Sequence, residues 1–432
     1  MDDIGQLKVT LVHGRYFNSW EALGLGYIGA FLKSRVKDIR VEFYQGCFDD
    51  DEAVVAGCGD SNIVAFSCTT PTFPYALRIA RRLKEINPAI HTVAGGYHPS
   101  AVPDDCLVEG IDQVVTGEGE AAMLDIVRGN REKFVHGRPV EFAELPWPDR
   151  TLIRNERNIQ VAYNDNKKRI TSFQSHRACP FRCRYCADGF NKVLYEGVAR
   201  APVRHRPAGD LLDEMQEVTR TYRLDLLKFS DPTWNLSVDW VSEFCREKVK
   251  RGFETPFYPN IHAGVCTEGM FALMAEAGCY EIAVGIESGS PRILRQIGKG
   301  TTLDSIRRCV GWAKNAGILI RGYFIVGMPE ETDEDLRLTE RLADELELDE
   351  YGFSLLCPYP GTQMYDPDKY KAIKWENADE YSNDFWRTKH LSNQRLKEWQ
   401  HYLAERFRNR LSWHNRVIAQ IDRTQRLVLD KP

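Results

Sequence analysis

Three thiols fall close together in Cys179-Pro-Phe-Arg-Cys183-Arg-Tyr-Cys186, just after the short apolar run Ile170 to Phe173. One tight loop with this C-x3-C-x2-C spacing aims all three sulfurs at one point, but three thiolates leave a corner of a tetrahedral or cubane site unfilled. A structural zinc site is normally closed by four ligands, and His176 just upstream would complete one. A cubane iron–sulfur cluster on three cysteines instead keeps one iron free for a small molecule. Both readings are open on the residues alone. The other thiols (Cys47, Cys58, Cys68, Cys106, Cys245, Cys266, Cys279, Cys309 and Cys357) are scattered, which suits small buried residues in a reducing, cytoplasmic setting.

The elements that must position this loop follow from length and patterning. A chain of 432 residues exceeds what one core usually holds, so two domains and a tail are expected. Hydrophobic content of 43%, charged content of 28% and a net charge of -5 describe an ordinary globular protein with no general attraction to nucleic acid or anionic membrane. The acidic opening Met1 to Lys8 lacks the apolar core of a signal peptide, and no apolar run approaches a bilayer span. Strand signals at Lys8–His13, Val41–Tyr44, Ile63–Ser67, His91–Ala94 and Val114–Val115 alternate with helical ones, notably Tyr75–Ile86. The pattern predicts a doubly wound, Rossmann-like parallel sheet over 1–137, whose ligands would lie beyond the carboxyl ends of its strands. Loops rich in Gly, Thr and Ser stand there: Ser67–Thr72, Gly95–Ser100 and Gly117–Glu120.

Residues 138–165, with prolines in Leu145-Pro-Trp-Pro-Asp149, read as an extended linker. Six further strands are expected at Ile170–Gln174, Leu226–Ser230, Phe257–His262, Glu281–Ile286, Ile318–Val326 and Tyr351–Leu356. Helices fall between them at Ala208–Tyr222, Val238–Arg251, Glu268–Ala277, Pro291–Gln296, Leu303–Asn315 and Asp333–Leu346. Six βα units over 166–366 are too few for a closed eight-unit barrel and suit a partial, three-quarter TIM-like barrel. A helical C-terminal segment, 367–432, completes the α/β chain, with Leu396, Trp399, Leu403 and Phe407 as a packing face.

The cysteine loop, with Tyr185 before its third thiol, resembles the radical S-adenosylmethionine (SAM) superfamily. There three cysteines hold a 4Fe-4S cluster and the free iron chelates SAM. The resemblance extends to Phe229-Ser-Asp-Pro-Thr-Trp-Asn235, to Val284-Gly-Ile-Glu-Ser-Gly-Ser290, to Ile320-Arg-Gly-Tyr-Phe-Ile-Val-Gly-Met-Pro-Glu330 and to Cys357-Pro-Tyr-Pro-Gly-Thr362. It implies SAM contacts from Tyr185, Ser230, Asp231, Glu287, Ser288, Arg321 and Met328. For Asp231 the residues equally allow a turn or cap. For Glu287 they allow an internal salt bridge, with Arg321 as its partner. The N-terminal loops resemble the cobalamin-binding domain of one large branch of the superfamily, which implies cobalamin contacts from Thr69, Thr70, Gly95, Gly96, His98, Gly117 and Glu118. No histidine motif for a lower axial ligand is present.

The resemblance implies an enzyme that cleaves SAM reductively to a 5′-deoxyadenosyl radical, fed by a donor such as flavodoxin or ferredoxin, and removes hydrogen from a small, sugar-like molecule. Methyl transfer assisted by cobalamin is the expected outcome; dehydration or deoxygenation without it is the alternative, and a non-catalytic metal-binding scaffold is a third. Trp234, Asn235, Asn260, His262, Tyr323 and Tyr359 are expected to face the substrate at the barrel mouth.

Overall fold

The computed structural model describes residues 7–16, 19, 21–187, 203–370 and 372–407. The N-terminal sheet has six parallel strands in the order β2-β1-β3-β4-β5-β6: β1 Lys8–His13, β2 Arg40–Gln45, β3 Ile63–Ser67, β4 His91–Gly95, β5 Gln113–Gly117 and β6 Phe134–Gly137. Val9, Leu11, Val12, Val64 and Val114 are buried on both faces of the sheet, as a helix-covered parallel sheet demands. Five of these strands are the expected ones. The sixth, Phe-Val-His-Gly, is too short and too polar to show an apolar run.

The segment expected to be an extended linker holds a helix, Asn155–Asn166. Its sequence is mostly polar, and Ile159 is its fully buried apolar anchor. The prolines do stand in extended chain before it, and Arg150 behind them is 6% exposed. The Arg150 guanidinium donates to Glu214 Oε1, Asn155 Oδ1, Thr171 Oγ1 and the Ser172 carbonyl, and lies 4.7 Å over the Phe173 ring.

The second half forms a curved parallel array in two sheets. One has the order β11-β10-β7, from β7 Ile170–Phe173, β10 Leu226–Phe229 and β11 Phe257–Tyr258; the other has β12-β13-β14-β15, from β12 Asn260–Ile261, β13 Glu281–Glu287, β14 Leu319–Val326 and β15 Glu350–Leu355. A short antiparallel ribbon, β8 His176–Arg177 with β9 Arg204–His205, flanks the cysteine loop. The strand expected over Phe257–His262 is thus broken at Pro259, which has no N–H to donate, and its halves pair with different neighbours. A bridge between Phe257 and Cys279 keeps the two sheets contiguous. Along β14 the burial alternates: Ile320, Gly322, Phe324 and Val326 are buried, whereas Arg321, Tyr323 and Ile325 are partly buried on the opposite face. The outer helices begin on strong caps. Thr302 with Ser305 and Thr332 with Asp335 each form a reciprocal capping box, worth about 1 kcal/mol apiece. The last described helix, Asn393–Arg406, packs Leu396, Trp399 and Leu403 against the barrel core, and the expected helical segment beyond residue 407 lies outside the described residues.

Candidate functional site

The cysteine loop hangs from the barrel by its own backbone. Arg184 N–H donates to the Ile297 carbonyl at 2.9 Å, and the Arg184 carbonyl accepts from Gln363 N–H at 3.0 Å. Phe181 stacks flat on His262 at 3.9 Å between centroids, a contact worth about 1 kcal/mol beyond its burial. The Tyr185 hydroxyl donates to Glu287 Oε1 at 2.8 Å. Ala178 turns the chain into Cys179 at φ 73°, a left-handed conformation that costs an L-residue roughly 1 kcal/mol.

Cys179, Cys183 and Cys186 form no disulfide and are partly exposed. Burial pushes the Cys183 thiol up to about 11, with the Lys299 ammonium opposing that rise. Among the described residues no three His, Cys, Asp or Glu side chains are arranged around a metal position. His176 is buried, its Nδ1 3.4 Å from Asp231 Oδ1 and its ring 5.3 Å from that of His205. A fourth, zinc-closing ligand from His176 is therefore not formed. By donor type, though not by their present arrangement, the three partly exposed thiols on this anchored loop suit a cluster with an open iron.

Glu287 ends β13 at φ 68°, beside a register shift between Gly285 and Glu287. Its carboxylate is 4% exposed and pairs with Lys299 and Tyr185. The pair fits because position 285 is glycine: a Cβ there would stand 2.2 Å from Lys299 Nζ and 2.3 Å from Glu287 Oε1. The partner of Glu287 is thus Lys299. Arg321 sits at the opposite, amino-terminal end of the strands, 3.0 Å from Glu281 Oε1 and 2.6 Å from Glu350 Oε2. That position corrects both expectations for Arg321, because register Arg321↔Ala283 places it four residues below Glu287 on the neighbouring strand. These residues border a second cavity of ≈ 390 Å³ with Lys228 and Tyr258.

Several expected contacts are consumed internally. Asp231 is fully buried and accepts from Ser175 N–H, Ser175 Oγ and His176 N–H at 3.0 Å each, so it builds the turn into the cysteine loop and leaves no oxygen for SAM. Ser288 is 0% exposed, with its Oγ 3.3 Å from Thr339 Oγ1 and accepting from Ser290 N–H. Trp234, expected at the barrel mouth, lies instead in the aromatic core against Phe229, Trp240, Phe244 and Phe257. Asn235 is equally buried, bridging the His262 backbone through both ends of its amide. His262 spends Nε2 on the Lys299 carbonyl and Nδ1 on Gly264 N–H, and burial lowers its pKa to about 4. Asn260 donates to the Asp231 carbonyl at 2.8 Å. Ser230 and the buried Met328 stand at strand ends, with Met328 N–H donating to Glu331 Oε2. Tyr323 remains on the partly buried face of β14, and the Tyr359 hydroxyl donates to Glu380 Oε2 at 2.6 Å.

The carboxyl ends of the N-terminal strands open onto a cavity of ≈ 460 Å³ between the two domains. Its sheet side is lined by Thr69, Gly95, Gly96, Gly117 and Glu118; its barrel side by Gln174, His176, Arg177, Ala178, Ser230 and Pro232. Gly96 holds φ 106° with its Cα pressed on the Cys68 backbone, where a Cβ would meet the Cys68 carbonyl at 2.7 Å. This lets bare backbone form the cavity wall, which suits a large flat ligand edged with amides. Thr70 and His98 are turned away and bond each other at 3.2 Å. Glu118 is not free either. It accepts from Arg177, Arg204 and Val140 N–H. Arg177, Arg204, Glu120 and Lys299 were not singled out by the sequence, although Arg177 is visible there as a charge two residues before Cys179.

Residues 173–343 match the model of the radical SAM superfamily, and residues 9–127 match that of the B12 binding domain. The chain is similar to an uncharacterised methyltransferase of Pyrococcus horikoshii, 27% identical over 80% of this chain and 77% of the relative. It is also similar to the anaerobic magnesium-protoporphyrin IX monomethyl ester cyclase of Rubrivivax gelatinosus, 24% identical over 86% and 72%. Its fold matches the radical SAM methyltransferase TsrM of Kitasatospora setae, solved with cobalamin and a [4Fe-4S] cluster, with a TM-score of 0.67, 19% identity, and 83% and 77% of the two chains covered. A B12-binding domain followed by a radical SAM domain makes this chain an enzyme whose cofactors are a 4Fe-4S cluster, SAM and cobalamin.

Proposed function

We propose that this radical SAM enzyme with a B12-binding domain methylates a small hydroxylated molecule at a carbon from which it first removes hydrogen. The observation that carries this reading is the shared cavity: the glycine-walled sheet loops and the approach to the cysteine loop border one space. When bound, the cofactors supply a carbon-centred radical and a methyl carrier. The chain's own residues would do the rest. Cys179, Cys183 and Cys186 hold the cluster with one corner open. Tyr185, Glu287 and Lys299 fix the loop against β13 and keep a buried charge pair beneath it. Thr69, Gly95, Gly96 and Gly117 present backbone and one hydroxyl to the flat cofactor. Ser230 lines the cavity between the two sites. Of the expected substrate residues, Asn260, Tyr323 and Tyr359 stay partly accessible, and the Tyr359 oxygen, whose proton goes to Glu380, offers a polyol an acceptor. A flavodoxin- or ferredoxin-like protein would deliver the electron.

The test is anaerobic reconstitution with iron, sulfide and hydroxocobalamin, followed by turnover with SAM carrying a deuterated methyl group. Appearance of the deuterated methyl in product, with 5′-deoxyadenosine formed alongside, supports the reading. A product lighter by one water and carrying no methyl overturns it in favour of dehydration.

A further inference from the structure

The Gly-Glu-Gly-Glu loop after β5 carries two buried carboxylates that reach across the domain boundary. Arg177 Nη1 donates to Glu118 Oε2 at 2.9 Å and Nη2 to Glu120 Oε1 at 2.6 Å. Arg204, on the partner strand of the ribbon, binds the other oxygen of Glu118, and its Nη1 donates to the Val140 carbonyl at 2.6 Å. All four side chains are buried to about nine-tenths, with 11%, 9%, 4% and 10% exposure for Arg177, Glu118, Glu120 and Arg204. The Arg177 guanidinium also lies 5.3 Å over the Tyr27 ring and 5.8 Å over that of Phe142, both of the N-terminal half.

We propose that Arg177 is a positioning residue: a latch by which the cobalamin-binding sheet holds the entry to the cluster loop, so that filling one site orders the other. Arg177 stands two residues before Cys179, and the residue between them is the left-handed Ala178. A backbone turn held outside its preferred region persists only when its neighbours fix it, and the fork of Arg177 does so from the other domain. Glu118 lines the cavity together with Gly117 and Gly119, so a ligand settling against that loop presses on the same carboxylate that holds Arg177. A single ammonium could not replace the fork, since two carboxylates two residues apart need the planar, two-pronged donor. The consequence for the cluster rests on the proposed function, whereas the latch itself is a property of the chain without cofactors.

The experiment is amide hydrogen exchange on the full chain without cofactors, comparing wild type with the double substitution Glu118→Gln, Glu120→Gln and with Arg177→Lys. Losing the charge-assisted bonds should speed exchange of amides 178–187 by about tenfold or more in the double variant and by less in Arg177→Lys. Amides of β3 and β10 should keep wild-type rates. Cluster-loop amides exchanging at wild-type rates in both variants overturn the proposal, and so does acceleration spread evenly over β3 and β10, which would mark a general loss of stability. Adding hydroxocobalamin should slow loop exchange in wild type and leave the double variant unchanged. If hydroxocobalamin alters no amide of the wild-type sheet, the cobalamin reading fails, while the cofactor-free comparison still decides the latch.

Discussion

Strand β13 carries a buried acid at each end, and the two are handled differently. At the carboxyl end Glu287 shares Lys299 and the Tyr185 hydroxyl in a pocket made by Gly285. At the amino end Glu281 and Glu350 flank Arg321, and burial lifts the Glu281 carboxyl to about 7. One cation per acid and a tie to the cysteine loop mark the upper pair as part of the working face. At the lower end two acids share one cation, and these ion pairs join β13, β14 and β15, which marks the group as a clasp between strands. A buried charge in a strand thus says that a partner exists and leaves open which end of the barrel it serves.

The largest test of this contrast removes what the upper pair supports. Cys179→Ala, Cys183→Ala or Cys186→Ala should each abolish the cluster and all SAM cleavage, whereas Cys245→Ala and Cys309→Ala, both in the core, should keep iron and sulfide at wild-type content. Next, Glu287→Ala should weaken SAM binding by about tenfold, the loss of one charge-assisted contact, with cluster absorbance retained. Glu281→Gln should leave SAM affinity unchanged, and equal weakening by both would dissolve the distinction between the two ends. Gly285→Ala forces a methyl group into the space of the Lys299–Glu287 pair and should cost about 1–3 kcal/mol in denaturant melts.

The smallest effect is on pH dependence. Between the unfolded value of 4.5 and the folded value of about 7, native Glu281 keeps a proton that the unfolded chain has lost. Its contribution to stability therefore falls as pH rises through that window and levels off above it. Glu281→Gln should flatten the decline, and a wild-type slope in that variant would assign the titration elsewhere.

The order of strands and helices was legible because buried parallel strands read as short apolar runs and their helices as amphipathic ones. Phe134–Gly137 and the helix Asn155–Asn166 escaped because tertiary packing, through Val135 and Ile159, stabilises sequences with little pattern of their own. In the site, residue type and spacing singled out the cysteine loop, and the resemblance singled out Glu287. They did not separate residues that face the site from those that brace it: Asp231, Ser288, Asn235 and His262 stand at the strand ends but spend their polar atoms on neighbouring backbone and hydroxyl groups. Trp234 shows the same limit for an aromatic, since its large apolar surface is better spent in the core. Lys299 was hidden between Gly298 and Gly300 in a loop that carries no periodicity.

The central claim is that a cobalamin and a cluster face one cavity. It is tested most directly by electron paramagnetic resonance of the chain loaded with both and reduced so that the cobalt and the cluster each carry an unpaired electron. Two spins bordering one space should broaden and split each other's signals, and Cys183→Ala should restore the plain cobalt spectrum. A spectrum that is the simple sum of the two separate centres would contradict the account.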